Sequence, residues 1–147
     1  MAVKILLADD DSDDRYLFDK ALKEIAIPTQ LTTVSDGELL MDCLSENSEH
    51  LPDVLFLDLS MPRKTGFECL TEIKGNEKFK NIPVIVFTTS FGRGDEYEQN
   101  LINTLSGLGA REYIRKPYDF QTLKETIEKT LARIIETDPL KQPEKIA

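Results

Sequence analysis

The chain has 147 residues, 40% of them hydrophobic and 31% charged, which suits one globular domain and excludes a disordered or membrane-spanning chain. Its 27 acidic against 18 basic residues, a formal net charge of -9, argue against a nucleic-acid partner, because a phosphate backbone must be met with excess Lys and Arg. No apolar run nears the roughly 20 residues a bilayer span needs, and MAVKILLADDD lacks the apolar length and cleavage site of a signal peptide, so a cytoplasmic address is expected.

From the N-terminus, VKILLA (3–8) reads as a strand. Ser12 opens a segment whose apolar residues, Leu17, Phe18, Ala21, Leu22, Ile25 and Ala26, share one helical face, and Pro28 stops it. LTTV (31–34) is a short β-branched strand, and Asp36-Gly37 turns into a helix carrying Leu39, Leu40, Cys43 and Leu44. VLFL (54–57) is a third strand; the helix after it presents Phe67, Leu70 and Ile73 until Gly75-Asn76 breaks it. VIVF (84–87) is a fourth, followed by a helix with Leu101, Ile102, Leu105 and Leu108. REYIR (111–115) is a fifth, and the last helix shows Leu123, Ile127, Leu131, Ile134 and Ile135. The end of the chain, with two prolines, reads as a loose tail. Cys43 and Cys69 lie in apolar-periodic segments without CxxC spacing and read as buried thiols. Strict strand-helix alternation implies one α/β domain, a parallel sheet with helices on both faces. Continuous runs such as VLFL and VIVF suit its central strands.

Ligands of an open parallel sheet bind beyond the carboxyl ends of its strands, so the residues just past each run are the candidates for function. They are Asp9, Asp10 and Asp11 after the first, Asp58 after the third, Thr88, Thr89 and Ser90 after the fourth, and Arg115, Lys116 and Pro117 after the fifth. Singly, each has a plain structural use. Asp11 or Ser12 can cap the first helix, Asp13 and Asp14 suit its positive end, Thr88 can be a strand-end hydroxyl and Lys116 a surface lysine. Brought together, the carboxylates form a like-charge cluster that demands neutralisation. A hard divalent cation such as Mg2+ on oxygen ligands and the Lys116 ammonium both serve. Such a set supports phosphoryl transfer to a carboxylate. Asp58 would attack phosphorus, Mg2+ would bridge Asp10, Asp58 and a phosphoryl oxygen, and Lys116 and Thr88 would meet the other oxygens.

LLADDD with Asp9-Asp10, FLDLSMP with Asp58, the downstream Gly66, VIVFTTS with Thr88, and YIRKP with Tyr113 and Lys116 follow one another in a familiar order. With these pieces the chain resembles the response-regulator receiver domain, the phosphoacceptor half of two-component signalling, over roughly residues 3–136. The resemblance implies a flavodoxin-like (βα)5 fold, a doubly wound five-stranded sheet of order 2-1-3-4-5, with the receiver at 1–136 and a tail at 137–147. It implies Asp58 as phosphoacceptor assisted by Thr88 and Lys116. It implies Mg2+ held by Asp10 and Asp58, by Asp9 through water and by the backbone carbonyl of Ser60. Thr88 and Tyr113 would be a switch pair: a phosphoryl group draws the Thr88 hydroxyl inward and Tyr113 fills the vacated space. The Lys116–Pro117 bond would be cis.

By the same resemblance the donor is a partner histidine kinase or histidine phosphotransfer protein. The chain is also similar to the small receivers that serve bacterial phytochromes and hybrid kinases, which makes a light-sensing kinase one candidate. No output domain is expected after Glu136. The signal is expected to leave through docking of a downstream protein on the fourth and fifth helices and fifth strand, or by passing the phosphoryl group on. A homodimer through that face or the tail is a further expectation. The protein is not expected to be an enzyme beyond self-catalysed phosphoryl transfer and dephosphorylation at Asp58.

Thr88 and Lys116 stand 116 − 88 = 28 residues apart, a few more than usual in the family. The excess falls in SFGRGDEYEQN, where Gly92 and Gly94 favour a flexible loop. Ser60 and Ser90 stand where receivers tune acyl-phosphate lifetime; both are small and uncharged, which points to a long-lived phosphoryl state. Three other classes fit less well. Dehalogenase-like phosphohydrolases want a second aspartate at the position of Ser60, a flavodoxin-like cofactor binder wants a Ser/Thr/Gly-rich loop where DDDSDD stands, and a pseudo-receiver used as an interaction module would not need the full acidic set. His50, the single histidine, reads as a loop residue.

Overall fold

The computed structural model describes residues 2–89 and 93–137; Ser90, Gly92 and the proline-containing tail from residue 138 lie outside them. Five strands, β1 (Val3–Ala8), β2 (Thr29–Val34), β3 (Val54–Leu57), β4 (Val84–Thr88) and β5 (Glu112–Arg115), alternate with five helices among the described residues. The helices are α1 (Ser12–Glu24), α2 (Gly37–Glu46), α3 (Gly66–Lys74), α4 (Asp95–Gly107) and α5 (Phe120–Thr137). All strand pairs are parallel and the order is β2-β1-β3-β4-β5. This is the flavodoxin-like, doubly wound sheet that the sequence led us to expect.

The pleat sorts the apolar runs onto two sides. Leu6, Ala8, Leu55, Leu57, Val84 and Val86 pack under α2, α3 and α4 with Leu40, Leu44, Leu70, Ile73, Leu101 and Leu105. Their neighbours Ile5, Leu7, Val54, Phe56, Ile85 and Phe87 pack under α1 and α5. There Phe18, Phe56 and Phe87 meet edge to face with centroids 5.0, 5.8 and 6.0 Å apart, a geometry that suits the ring quadrupoles. Because β3 is buried on both faces, all four of its residues are core, whereas no residue of the edge strands β2 and β5 is fully buried. That explains why the central strands read as unbroken apolar runs.

Each helix start is fixed by local chemistry. Asp11 accepts from the Asp13 and Asp14 amides at 2.8 and 3.2 Å, which makes Asp11 the cap of α1. Asp36 accepts from the Leu39 amide at 2.8 Å, and Thr65 and Glu68 form a reciprocal capping box on α3, satisfying amides that a helix leaves open. α4 begins differently, after Gly94 at φ +90° and with no side-chain cap; a positive φ of this size is open to glycine and costly for other residues.

Several boundaries depart from expectation. β2 begins at Thr29, two residues before LTTV, because Thr29 is already in register with Val3. β4 runs one residue further, through Thr88, in register with Arg115. Arg111 precedes β5 but donates its amide to the Val84 carbonyl at 2.9 Å. Cys69 is buried as expected, but Cys43 is only half-buried. The expected cis Lys116–Pro117 bond is corrected to trans, since no described peptide bond is cis; trans is the lower-energy state of an X–Pro bond by about 0.5–1 kcal/mol, and Lys116 reaches the site from it.

Candidate functional site at the carboxyl ends of β1, β3, β4 and β5

Register builds the site. Ala8 pairs with Leu57, so Asp9 and Asp58, each one residue further, emerge side by side; the Asp58 amide donates to the Ala8 carbonyl at 3.0 Å. Thr88 pairs with Arg115, and the Lys116 amide donates to the Thr88 carbonyl at 2.8 Å. Residues 107 positions apart in sequence (116 − 9) thus share one rim. Asp9, Asp58 and Thr88 are buried there, while Asp10 is exposed.

Asp58 is held from both sides. Its Oδ1 accepts from the Thr88 hydroxyl at 2.8 Å and, more loosely, from the Ser60 amide at 3.4 Å. Its Oδ2 lies 3.4 Å from the Lys116 ammonium. Directly behind, Gly66 donates its amide to the Leu59 carbonyl at 3.0 Å. A Cβ on Gly66 would come within 2.3 Å of the Asp58 carbonyl oxygen, so the loop after β3 can fold against α3 only with glycine there.

Lys116 has a side chain only 9% exposed, yet it remains paired: Asp9 Oδ2 lies at 2.6 Å and Asp14 Oδ2 at 2.9 Å. Burial works against its charge, but hydrogen bonds to Asp9 and Asp14 and the nearby Asp58 charge outweigh it, so the ammonium is held above the ordinary lysine range. Asp9 shows the opposite balance. Burial pushes its carboxyl up to about 6, against the lowering effects of Lys116 and of the Asp11 amide, which donates to Asp9 Oδ1 at 2.9 Å. The Lys116 ammonium also lies 6.0 Å over the ring of Phe87, a member of the core under α1 and α5.

Asp9, Asp10 and Asp58 each offer a carboxylate oxygen, and these atoms lie within 4.8 Å of one another. A set of hard carboxylate oxygen donors fits a hard divalent cation such as Mg2+. Chemically, the rim combines a carboxylate nucleophile, a hydroxyl donor, a fixed ammonium and an acidic cradle, which suffices for a reaction governed by positioning and charge.

The structure therefore brings together Asp9, Asp10, Asp58, Thr88 and Lys116. Ser60 is adjacent, with its amide turned to Asp58. Tyr113 lies half-buried on β5 against the α2–α4 core, and burial raises its hydroxyl's pKa. Two residues were missed as parts of the rim. Asp14, which the sequence offers only as a carboxylate at a helix start, reaches Lys116. Arg15 donates to the Asp9 backbone carbonyl at 2.7 Å and ties the loop after β1 to α1. No sequence signal marks either contact, since both depend on how α1 leaves the sheet.

Fold and rim together define a doubly wound, flavodoxin-like α/β domain with an acidic pocket at the carboxyl ends of its strands. Residues 5–128 match the family described as response regulator receiver domain, and the chain belongs to that family. It is 39% identical over 95 residues to response regulator Rcp1 of Synechocystis sp., covering 62% of this chain and 65% of that protein, a little under two thirds of its length. It is 30% identical to the chemotaxis protein CheY of Pseudomonas aeruginosa over 90% of this chain and 98% of that one. Among solved structures, the phosphorylated cyanobacterial phytochrome response regulator RcpA superposes with a TM-score of 0.79 at 30% identity, covering 94% of this chain and 97% of that one. The Mn2+-bound form of Rcp1 does so with a TM-score of 0.73 at 30% identity, over 99% of both. Receiver domains are phosphorylated by histidine kinases. No described helix is long and apolar enough to cross a membrane.

Proposed function

We propose that Asp58 is the phosphoacceptor of a two-component response regulator, with Thr88 and Lys116 as its catalytic partners. The observation that carries this reading is the double contact of the Asp58 carboxylate, with the Thr88 hydroxyl on one oxygen at 2.8 Å and the Lys116 ammonium beside the other at 3.4 Å. An Asp58 oxygen attacks the phosphorus of a phosphohistidine on the donor. The new O–P bond forms as the P–N bond breaks, and its electron pair returns to the imidazole. Lys116 and Thr88 then exchange the carboxylate for phosphoryl oxygens and hold the product. Asp10 and Asp58, with Asp9 through water and the Ser60 carbonyl, would hold Mg2+, whose chemistry is to offset repulsion between the acceptor and the incoming anion. That the Rcp1 structure is a Mn2+-bound form supports the metal assignment.

The Thr88 hydroxyl, once drawn to a phosphoryl oxygen, and Tyr113 on the neighbouring strand β5, two residues before the partner of Thr88, form the switch, and the α4–β5–α5 face is the output surface for a downstream protein or a second copy of the chain. Glu98 of α4 and Arg115 of β5 are ion-paired on that face. The likeness to RcpA and Rcp1 supports a phytochrome-type histidine kinase as donor. The test is incubation with acetyl phosphate and Mg2+, read by intact mass. One added phosphoryl group is expected on the native chain and none on Asp58→Asn or without a divalent cation; equal labelling of Asp58→Asn would overturn the assignment.

A further inference from the structure

Lys116 has three N–H donors and three carboxylates around it: Asp9 at 2.6 Å, Asp14 at 2.9 Å and Asp58 at 3.4 Å. Two of these carboxylates have another task in the reaction proposed above. Asp58 gives up an oxygen to phosphorus, and Asp9 belongs, with Asp10 and Asp58, to the group whose oxygens lie within 4.8 Å of one another. Asp14 has none. It stands in the first turn of α1, where the helix favours negative charge, and α1 is anchored below by Phe18, buried against Phe56 of β3. Its Oδ2 reaches Lys116 from the side of α1, with a side chain one-third exposed.

We propose that Asp14 is a positioning residue for Lys116, the one carboxylate that stays with the ammonium while Asp9 and Asp58 turn to the cation and the phosphoryl group. This rests on the reading of Asp58 as phosphoacceptor and deepens it. A lysine is a point charge on a flexible four-carbon stem, so an ammonium released by two of its three partners would be free to follow either of them or solvent. The Asp14 contact restricts that freedom and presents the remaining donors to the incoming phosphoryl oxygen. It also makes α1 part of the site, although no residue of α1 touches the acceptor carboxylate among the described contacts.

The experiment is a double-mutant cycle on the full chain: native, Asp14→Asn, Lys116→Ala and the two combined. Acetyl phosphate is the donor, Mg2+ is saturating, and labelling rates are read by intact mass. Asp14→Asn should slow labelling about tenfold, the loss expected of one charge-assisted contact, and Asp14→Glu should recover most of it. In the Lys116→Ala background the same substitution should change the rate by less than about twofold, because a group acting only through Lys116 has nothing left to position. A native rate in Asp14→Asn overturns the proposal, as does an undiminished second loss on top of Lys116→Ala, which would assign Asp14 to helix stability instead. In both cases the native chain still labels and the Asp58 assignment stands. A native chain that takes no phosphoryl group removes the Asp58 assignment and this proposal with it.

Discussion

β3 and β5 deliver the two charged groups that face each other in the site, and they could hardly be held more differently. All four residues of β3 are buried, whereas none of the four in β5 is. The strand that ends in Asp58 is the middle of the sheet, enclosed by helices on both faces. The strand that ends in Lys116 is an edge, and it carries the half-buried Tyr113 and the exposed Arg115. The difference teaches a division of labour. In the proposed reaction, the group that presents an oxygen to phosphorus sits where packing leaves it no freedom. The group that would change partners follows a half-buried edge strand, which also carries the proposed switch residue Tyr113.

That contrast can be broken most forcefully in the core. Phe56→Ala removes a ring wedged between Phe18 and Phe87 and is expected to cost about 3–5 kcal/mol in urea unfolding. Ile114→Ala on β5, where the side chain is only partly buried, should cost about 1 kcal/mol. Equal losses would mean that the two strands are held alike.

Asp9 bridges the two strand ends, and its effect should be next in size. Its carboxyl titrates at about 6 in the folded chain against an ordinary 3.8, chiefly through burial. The folded state therefore binds this proton more tightly than the unfolded state does, so without divalent cations this group makes stability rise as pH falls from about 6 towards 4. Asp9→Asn, measured with a chelator present, should flatten that slope and raise stability at neutral pH by about 2–3 kcal/mol. An unchanged slope would show that the site does not strain Asp9. The smallest effect is expected on the face of β5. The Glu98–Arg115 pair is partly open to solvent, with side chains 25% and 47% exposed, and Glu98→Gln should alter thermal stability by less than about 1 kcal/mol. A larger loss would make α4 a firmer part of the edge than its exposure suggests.

The fold was legible wherever burial is two-sided. VLFL and VIVF could be read as central strands because nothing polar stands in them, and parallel pairing then placed Asp9 and Asp58 on one rim; the register Ala8–Leu57 sets them side by side. Edges were less legible: Thr29 and Gln30 belong to β2 through pairing with Val3 and Lys4, and neither is the kind of residue that announces a strand. The trans Lys116–Pro117 bond contradicts what family likeness implied, since the isomer of a single X–Pro bond is set by its surroundings and not by its sequence alone.

By itself the sequence determined the alternation of elements, the sidedness of their apolar residues and the presence of carboxylates, a hydroxyl and an ammonium just past four apolar runs. Those are properties of neighbours along the chain, where periodicity carries the information. Only the tertiary structure decided which oxygen meets which donor: that Thr88 and Lys116 take opposite sides of Asp58, that burial lifts the Asp9 carboxyl, and that Asp14 reaches Lys116 across 102 residues of chain. Such contacts depend on the angle at which a helix leaves the sheet, fixed by the packing of the whole core around Phe18, Phe56 and Phe87 and not by any local run of residues.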